Sequence, residues 1–298
     1  MDNSQLPSEP DMSPSRNYSH LMRPRSITFA GITAALFTLT VLTTSASAVD
    51  APVSPSTWNA YAAAITDSAV SRPGEVVNNL LVPDPADPRT QWREFNGVPH
   101  LLVQRLSWRA ATTVAPGEAF TISGNTFISV PEEVEEVWAE YKCTQLNESK
   151  LNLQLAQVLG LPPDAGYNVI SRFWVKPSDL IRPCTNVDIT VTSCPQSVVN
   201  TLSQSGDWSS FLFDQAMDSW RTQRTGTQQR ISCAHDFENK TKGNCFGYPW
   251  TRLGYTFDWT PAAKDDRGVT EFVVAEGSQA FFESFGTART YYPYSRKS

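Results

Sequence analysis

The residues best suited to chemistry lie in two late blocks of the chain. Asn244 to Trp259 reads NCFGYPWTRLGYTFDW, and Gly268 to Glu276 reads GVTEFVVAE. Successive strand side chains point to opposite faces. As a strand, the first block therefore puts Leu253, Tyr255, Phe257 and Trp259 on one apolar face. Trp250, Arg252, Thr256 and Asp258 share the other, which mixes an indole with charges of both signs. Arg252 and Asp258 would stand roughly 20 Å apart along an extended strand, so each needs a partner from another element. A hairpin matching Tyr255 to Phe272 and Leu253 to Val274 keeps apolar opposite apolar and sets Thr256 opposite Glu271. In that arrangement Asp258 and Glu271 could act as acid and base, with Arg252 holding an anionic substrate. The same five residues, Trp250, Arg252, Thr256, Asp258 and Glu271, could instead form a polar ligand site or a buried ion-pair clasp.

Other reactive groups are few. Of the 3 His, only His100 and His235 lie beyond residue 48. His100 falls mid-strand beside Leu102 and Leu106, the setting of a structural imidazole. His235, in CAHDFENK, stands next to Asp236 and is a minor catalytic candidate. The NCFGYPW opening resembles that of CHAP-type amidases, yet those enzymes need a His downstream of the Cys, and none follows Cys245. Cys143 ends an acidic helix, where the dipole disfavours a thiolate. Glu132, Glu133, Glu135, Glu136 and Glu140 oppose a Val134/Val137/Trp138/Tyr141 stripe and read as a solvated face. Calcium on such a face would lack the loop carbonyls that complete its shell. GxSxG, P-loop, HExxH, CxxC and post-strand GxGxxG motifs are all absent. No metal and no cofactor is expected.

The elements that must position these residues are legible from periodicity. Trp58, Tyr61, Ala62, Ile65 and Ala69 recur at helical spacing. VPDPADP (Val82 to Pro88) is a linker or a long ordered loop. QWREF and VPHLLVQRLSW flank Asn96-Gly97, a hairpin turn dipeptide. AFTISGNTFISV suggests a second strand pair split at Gly124. Pro131 opens one helix, and Asn147 caps the next, which Gly160 ends. Gly166 to Val175 reads as a strand, Ser178 caps a short turn, and Trp208 to Trp220 reads as a helix. The fold class is α+β: antiparallel sheets with hairpins and about four helices, stapled by disulfides.

Ile27 to Ala48 is an uncharged run behind Arg23 and Arg25, ending in Ala46-Ser47-Ala48. This is the pattern of a secretory signal with a long polar leading arm, cleaved after Ala48, with an uncleaved anchor as the alternative. The expected organisation is a signal peptide over 1–48, a helix plus Pro-rich linker over 49–90, and a single α+β domain over 91–298. No stable membrane insertion is expected after cleavage. The net charge of −6 argues against nucleic acid as a partner. In an oxidising compartment the 5 Cys should pair locally, Cys184 with Cys194 and Cys233 with Cys245, leaving Cys143 free or available for an intermolecular bridge.

RFWVKPSDLIRPC (Arg172 to Cys184), YPWTRLGYTFDW (Tyr248 to Trp259) and GVTEFVV (Gly268 to Val274) resemble blocks of an uncharacterised group of exported bacterial proteins. The resemblance covers about a third of the chain beyond residue 48. It implies a bacterial source and a self-contained exported domain, periplasmic or extracellular, and transfers no site residues. The chain therefore reads first as a binding or structural module for an extracytoplasmic ligand. A glycan or cell-envelope component is one candidate, since Trp and Tyr rings stack on sugars. The alternative is a carboxylate-dependent hydrolase or transferase.

Overall fold

The computed structural model describes residues 53–292, apart from 69, 142–146, 197–201, 203–204, 225–247 and 262. Cys143, His235, Cys233, Cys245 and the run Ile27 to Ala48 lie outside the described residues. Helix α1 (Pro55–Ser68) buries Tyr61, Ala62 and Ile65, and Tyr61 meets Trp259 edge-on at 5.3 Å. Asn96 and Gly97, with φ of 54° and 75°, make the expected turn between β1 (Trp92–Phe95) and β2 (Val98–Ser107). Both left-handed residues match the twist of the flanking strands.

A five-stranded antiparallel sheet runs β1-β2-β5-β10-β3, with β3 over Ala119–Thr121, β5 over Val169–Val175 and β10 over Gln279–Gly286. A second sheet runs β4-β9-β6, with β4 over Thr126–Ile128, β6 over Leu180–Ile181 and β9 over Phe272–Val274. A two-stranded ribbon joins β7 (Tyr255–Phe257) to β8 (Arg267–Thr270). Leu101, Val103, Phe173 and Val175 of the first sheet share one buried cluster with Ile128, Phe272 and Val274 of the second. A bridge between Gln104 and Ser129 ties the two sheets together at the far end of β2.

The AFTISGNTFISV block does contain two strands, but they do not pair with each other. β3 lies on β10 and β4 lies on β9. Each is held by distant apolar partners rather than by its neighbour, and Ile122 and Ile128 both end in the core.

Helix α2 (Pro131–Glu140) starts at its proline and buries Val134 and Trp138. Helix α3 (Glu148–Val158) is capped by Asn147, whose side chain accepts the Lys150 N–H at 3.0 Å. Gly160, at φ 65°, turns the chain out of it. Helix α4 covers Ser209–Arg224, and a single turn, α5, covers Ala288–Tyr291. Among the described residues the fold is α+β, with antiparallel sheets and five α-helices.

One member of the acidic run departs from the solvated-face reading. Glu133 is 5% exposed and accepts the Thr270 N–H at 2.9 Å and the Thr270 hydroxyl at 2.8 Å. Thr270 in turn accepts the Leu81 N–H at 2.9 Å. Residue 133 lies one turn before Val137, within the inward stripe rather than opposite it. Glu135, Glu136 and Glu140 are exposed.

One of the two expected local disulfides is present as Cys184–Cys194, and the other falls outside the described residues. Both half-cystines are buried with Leu80, Leu253 and Tyr255, and Cys184 bridges Leu253. Among the described residues no helix is long and apolar enough to cross a membrane.

Candidate cleft at the end of β2

Trp250 to Gly254 is not a strand, and the two-residue parity fails there. Arg252 at φ 58° and Gly254 at φ 79° fold the backbone on itself, so that Trp250 bridges Thr256. The Thr251 hydroxyl fastens this loop by donating to the Tyr255 carbonyl at 2.7 Å and accepting the Leu253 N–H at 3.0 Å. Gly254 is required twice over: its φ is unfavourable for a side chain, and a Cβ would meet Cys194 Sγ at 2.9 Å.

The hairpin register also differs from the expected one. Tyr255 pairs with Thr270 and Phe257 with Arg267, across an irregularity. Phe272 to Val274 leaves the ribbon and joins the second sheet. The reason lies at Gly268, where a Cβ would fall 2.2 Å from Thr256 Oγ1. That close approach lets Thr256 accept the Val269 N–H at 2.9 Å while donating to the Val158 carbonyl at 2.7 Å. Glu271 therefore stands at the junction of β8 and β9, its N–H bonded to the Gly254 carbonyl at 2.9 Å.

These departures split the five candidates. Trp250, Thr256 and Glu271 line a cleft of about 420 Å³, whereas Arg252 and Asp258 are not among its lining residues. Arg252 is 2% exposed and donates to the Trp250 carbonyl at 3.0 Å and the Ser68 carbonyl at 2.8 Å. Burial lowers its pKa to about 10. It pins the folded-back loop to the end of α1. Asp258 is 1% exposed; its carboxylate accepts the Tyr141 hydroxyl, and the Thr260 N–H at 2.8 Å. Burial raises its pKa against those bonds. Asp258 thus clasps α2 to the loop after β7. His100 sits apart from the cleft, buried between Phe95 and Phe281, with Nδ1 2.8 Å from the Val98 carbonyl.

The rest of the cleft comes from elements the candidate list did not include. β2 contributes Gln104, Arg105 and Ser107 and runs on into Trp108 and Arg109; β4 contributes Phe127. Tyr167, Gln215 of α4 and Tyr248 complete the parts that matter for chemistry. Leu101 and Val103 face the core between the sheets, and the next residue of that parity is Arg105. A cation thus stands where the inward stripe reaches the cleft. The signal was present in the sequence as an Arg continuing the Leu101/Val103 alternation. Phe127, Tyr167 and Gln215 carried none.

The cleft is electrostatically two-ended. Arg105 is half-buried, its Nε has no hydrogen-bond partner, and burial together with neighbouring Arg109 lowers its pKa. The Arg109 guanidinium lies 4.5 Å from the centre of the Trp108 ring. Tyr167 lies within electrostatic reach of both Arg105 and Tyr248. At the other end burial pushes Glu271 up to about 8, and the Trp250 indole N–H offsets a small part of that. The indole contact falls short of hydrogen-bond geometry, so Glu271 Oε2 and Trp250 Nε1 are both buried without partners. At neutral pH the only carboxyl of the described lining is therefore protonated, and the two guanidinium groups are not neutralised from within the cleft. No cluster of His, Cys, Asp or Glu among the described residues could hold a metal ion.

Comparison of the chain with protein-family models, curated proteins and solved structures finds no match. The arrangement of the cleft itself is what bears on function.

Proposed function

We propose that the protein is an exported binding module whose cleft at the end of β2 takes a small extracytoplasmic ligand. One observation carries this reading: the cleft of about 420 Å³ combines aromatic walls with polar groups that have no partner of their own. Small-molecule sites typically span roughly 300–1,000 Å³ and pair apolar walls with a few converging polar groups. Trp250 Nε1, Glu271 Oε2 and Arg105 Nε are such groups, and leaving buried polar atoms unpaired is costly unless a ligand or water completes them. The leader-like run before Val49 and the disulfide Cys184–Cys194 support the extracytoplasmic setting.

A hydrolase using paired carboxylates has less support. It needs a second acidic group near the first, and Glu271 is the one carboxyl of the described lining, while Asp258 is engaged with Tyr141 and Thr260. The test is intrinsic fluorescence, because Trp250 and Trp108 both line the cleft. Titration with soluble wall and envelope fragments should change the emission, and Trp250→Phe should diminish the change. Emission unaltered by every fragment would count against a binding role.

A further inference from the structure

The lining of the cleft is more specific than a generic pocket, and resting on the binding reading, its chemistry narrows the ligand class. From the geometry we infer that the cleft selects an acidic sugar: one pyranose ring bearing a carboxylate or phosphate, with the anion on Arg105 and Arg109 and the ring against the aromatic wall.

Charge is the first argument. Arg105 and Arg109 stand close enough to oppose each other's protonation, and neither forms an ion pair among the described residues. Half-burying a guanidinium beside a like charge is unfavourable unless an anion arrives, and Arg presents a fork that matches carboxylate or phosphate oxygens. Nothing in the described lining competes for them, because burial keeps Glu271 neutral at pH 7. An incoming anion therefore meets two cations and no opposing charge. The chain as a whole is net acidic at −6, which makes this cationic concavity a local exception rather than part of a basic surface.

The body of the ligand follows from the walls. Phe127, Tyr167 and Tyr248 are only partly buried and line the cleft with aromatic surface for sugar C–H groups, and buried Trp250, edge-to-face with Phe127 at 6.4 Å, backs that wall. Between them lie groups suited to hydroxyls. The Gln215 amide lines the cleft, while Glu271 as a neutral acid can donate, and the Trp250 indole N–H is unpartnered. A purely aromatic or acyl anion would leave these buried polar atoms unsatisfied, which is unfavourable. A sugar hydroxyl can serve as donor to one and acceptor to another. The volume of about 420 Å³ suits a single substituted ring.

Three probes sharing one body separate the possibilities: N-acetylmuramate, N-acetylglucosamine 6-phosphate and uncharged N-acetylglucosamine, each titrated calorimetrically into the full chain. One or both acidic sugars should bind at least tenfold more tightly than the neutral one, and which of them leads distinguishes a carboxylate from a phosphate source. Arg105→Gln should abolish the preference, bringing the acidic sugars down to the affinity of the neutral one. Arg109→Gln, at an exposed position that does not threaten folding, should reduce the preference several-fold, and Arg105→Lys should restore part of it. Equal binding of all three sugars, or a preference that survives both Gln variants, overturns the acidic-sugar inference and leaves the binding reading standing. Absence of binding by all three, with no response to the wider set of envelope fragments, overturns both.

Discussion

Replacing Glu271 with Gln keeps the shape of the side chain and removes its titration. In the folded protein burial holds this carboxyl at about 8, against an ordinary value of 4.5. The native state therefore retains a proton that the unfolded chain gives up. A raised native value means that the stability associated with the neutral carboxyl is fully present below about pH 4.5. It is lost progressively as pH rises to about 8, above which both states are ionised and the loss levels off. At about 1.4 kcal/mol per pH unit, the gap sets an upper bound of roughly 5 kcal/mol; because the cleft opens to water, about 2–4 kcal/mol is expected. The assay is guanidinium unfolding of wild type and Glu271→Gln at several pH values between about 4.5 and 9. Glu133, Asp258 and Asp266 are also raised by burial, but they are common to both proteins and cancel in the difference. The wild type should lose stability relative to the variant across that window. A difference between the two that does not change with pH would refute the claim that Glu271 is held neutral by its surroundings.

Three further perturbations test the frame around the cleft. Glu133→Ala breaks the chain from Leu81 through Thr270 to α2 and should cost about 2–4 kcal/mol in chemical unfolding, whereas exposed Glu136→Ala should stay within about 0.5 kcal/mol. Gly254→Ala forces a side chain into the left-handed region and against Cys194 and Arg182; a loss of about 2–4 kcal/mol and a lowered midpoint are expected. Cys184→Ser with Cys194→Ser should cost about 2–4 kcal/mol under oxidising conditions, and dithiothreitol should lower its thermal midpoint by less than it lowers the wild type's.

How much of this was legible in the sequence varies by element. The helices α1 to α4, the Asn96-Gly97 hairpin and the Cys184–Cys194 pair were readable because each is specified locally, by periodicity, capping or a turn dipeptide. The pairing of β3 and β4 was not, since antiparallel partners chosen from distant strands leave no trace in local pattern. Parity failed over Trp250–Gly254 for a definite reason. Arg252 adopts a left-handed backbone, held by hydrogen bonds to the Trp250 and Ser68 carbonyls that no alternation rule anticipates. That local reversal separates Asp258 from Glu271 and moves Trp250 beside Thr256. Of the proposed face, the indole, the threonine and one carboxyl share the cleft, and the ionic pieces became structural fastenings. The guanidinium groups of the cleft instead come from β2 and the segment after it, more than a hundred residues earlier in the chain.

The central claim, that the cleft at the end of β2 binds a ligand, is most directly tested by the indole N–H signals in a nitrogen–proton correlation spectrum. Trp250 and Trp108 line the cleft, whereas Trp92 and Trp174 have their indole N–H groups bonded elsewhere, to Thr90 at 2.8 Å and Glu283 at 2.6 Å. With each signal assigned through its Trp→Phe variant, addition of N-acetylmuramate should move Trp250 and Trp108 to a saturating limit and leave Trp92 and Trp174 in place. Movement of the remote indoles with Trp250 unmoved, or no movement at all while another envelope fragment binds the protein, would contradict it.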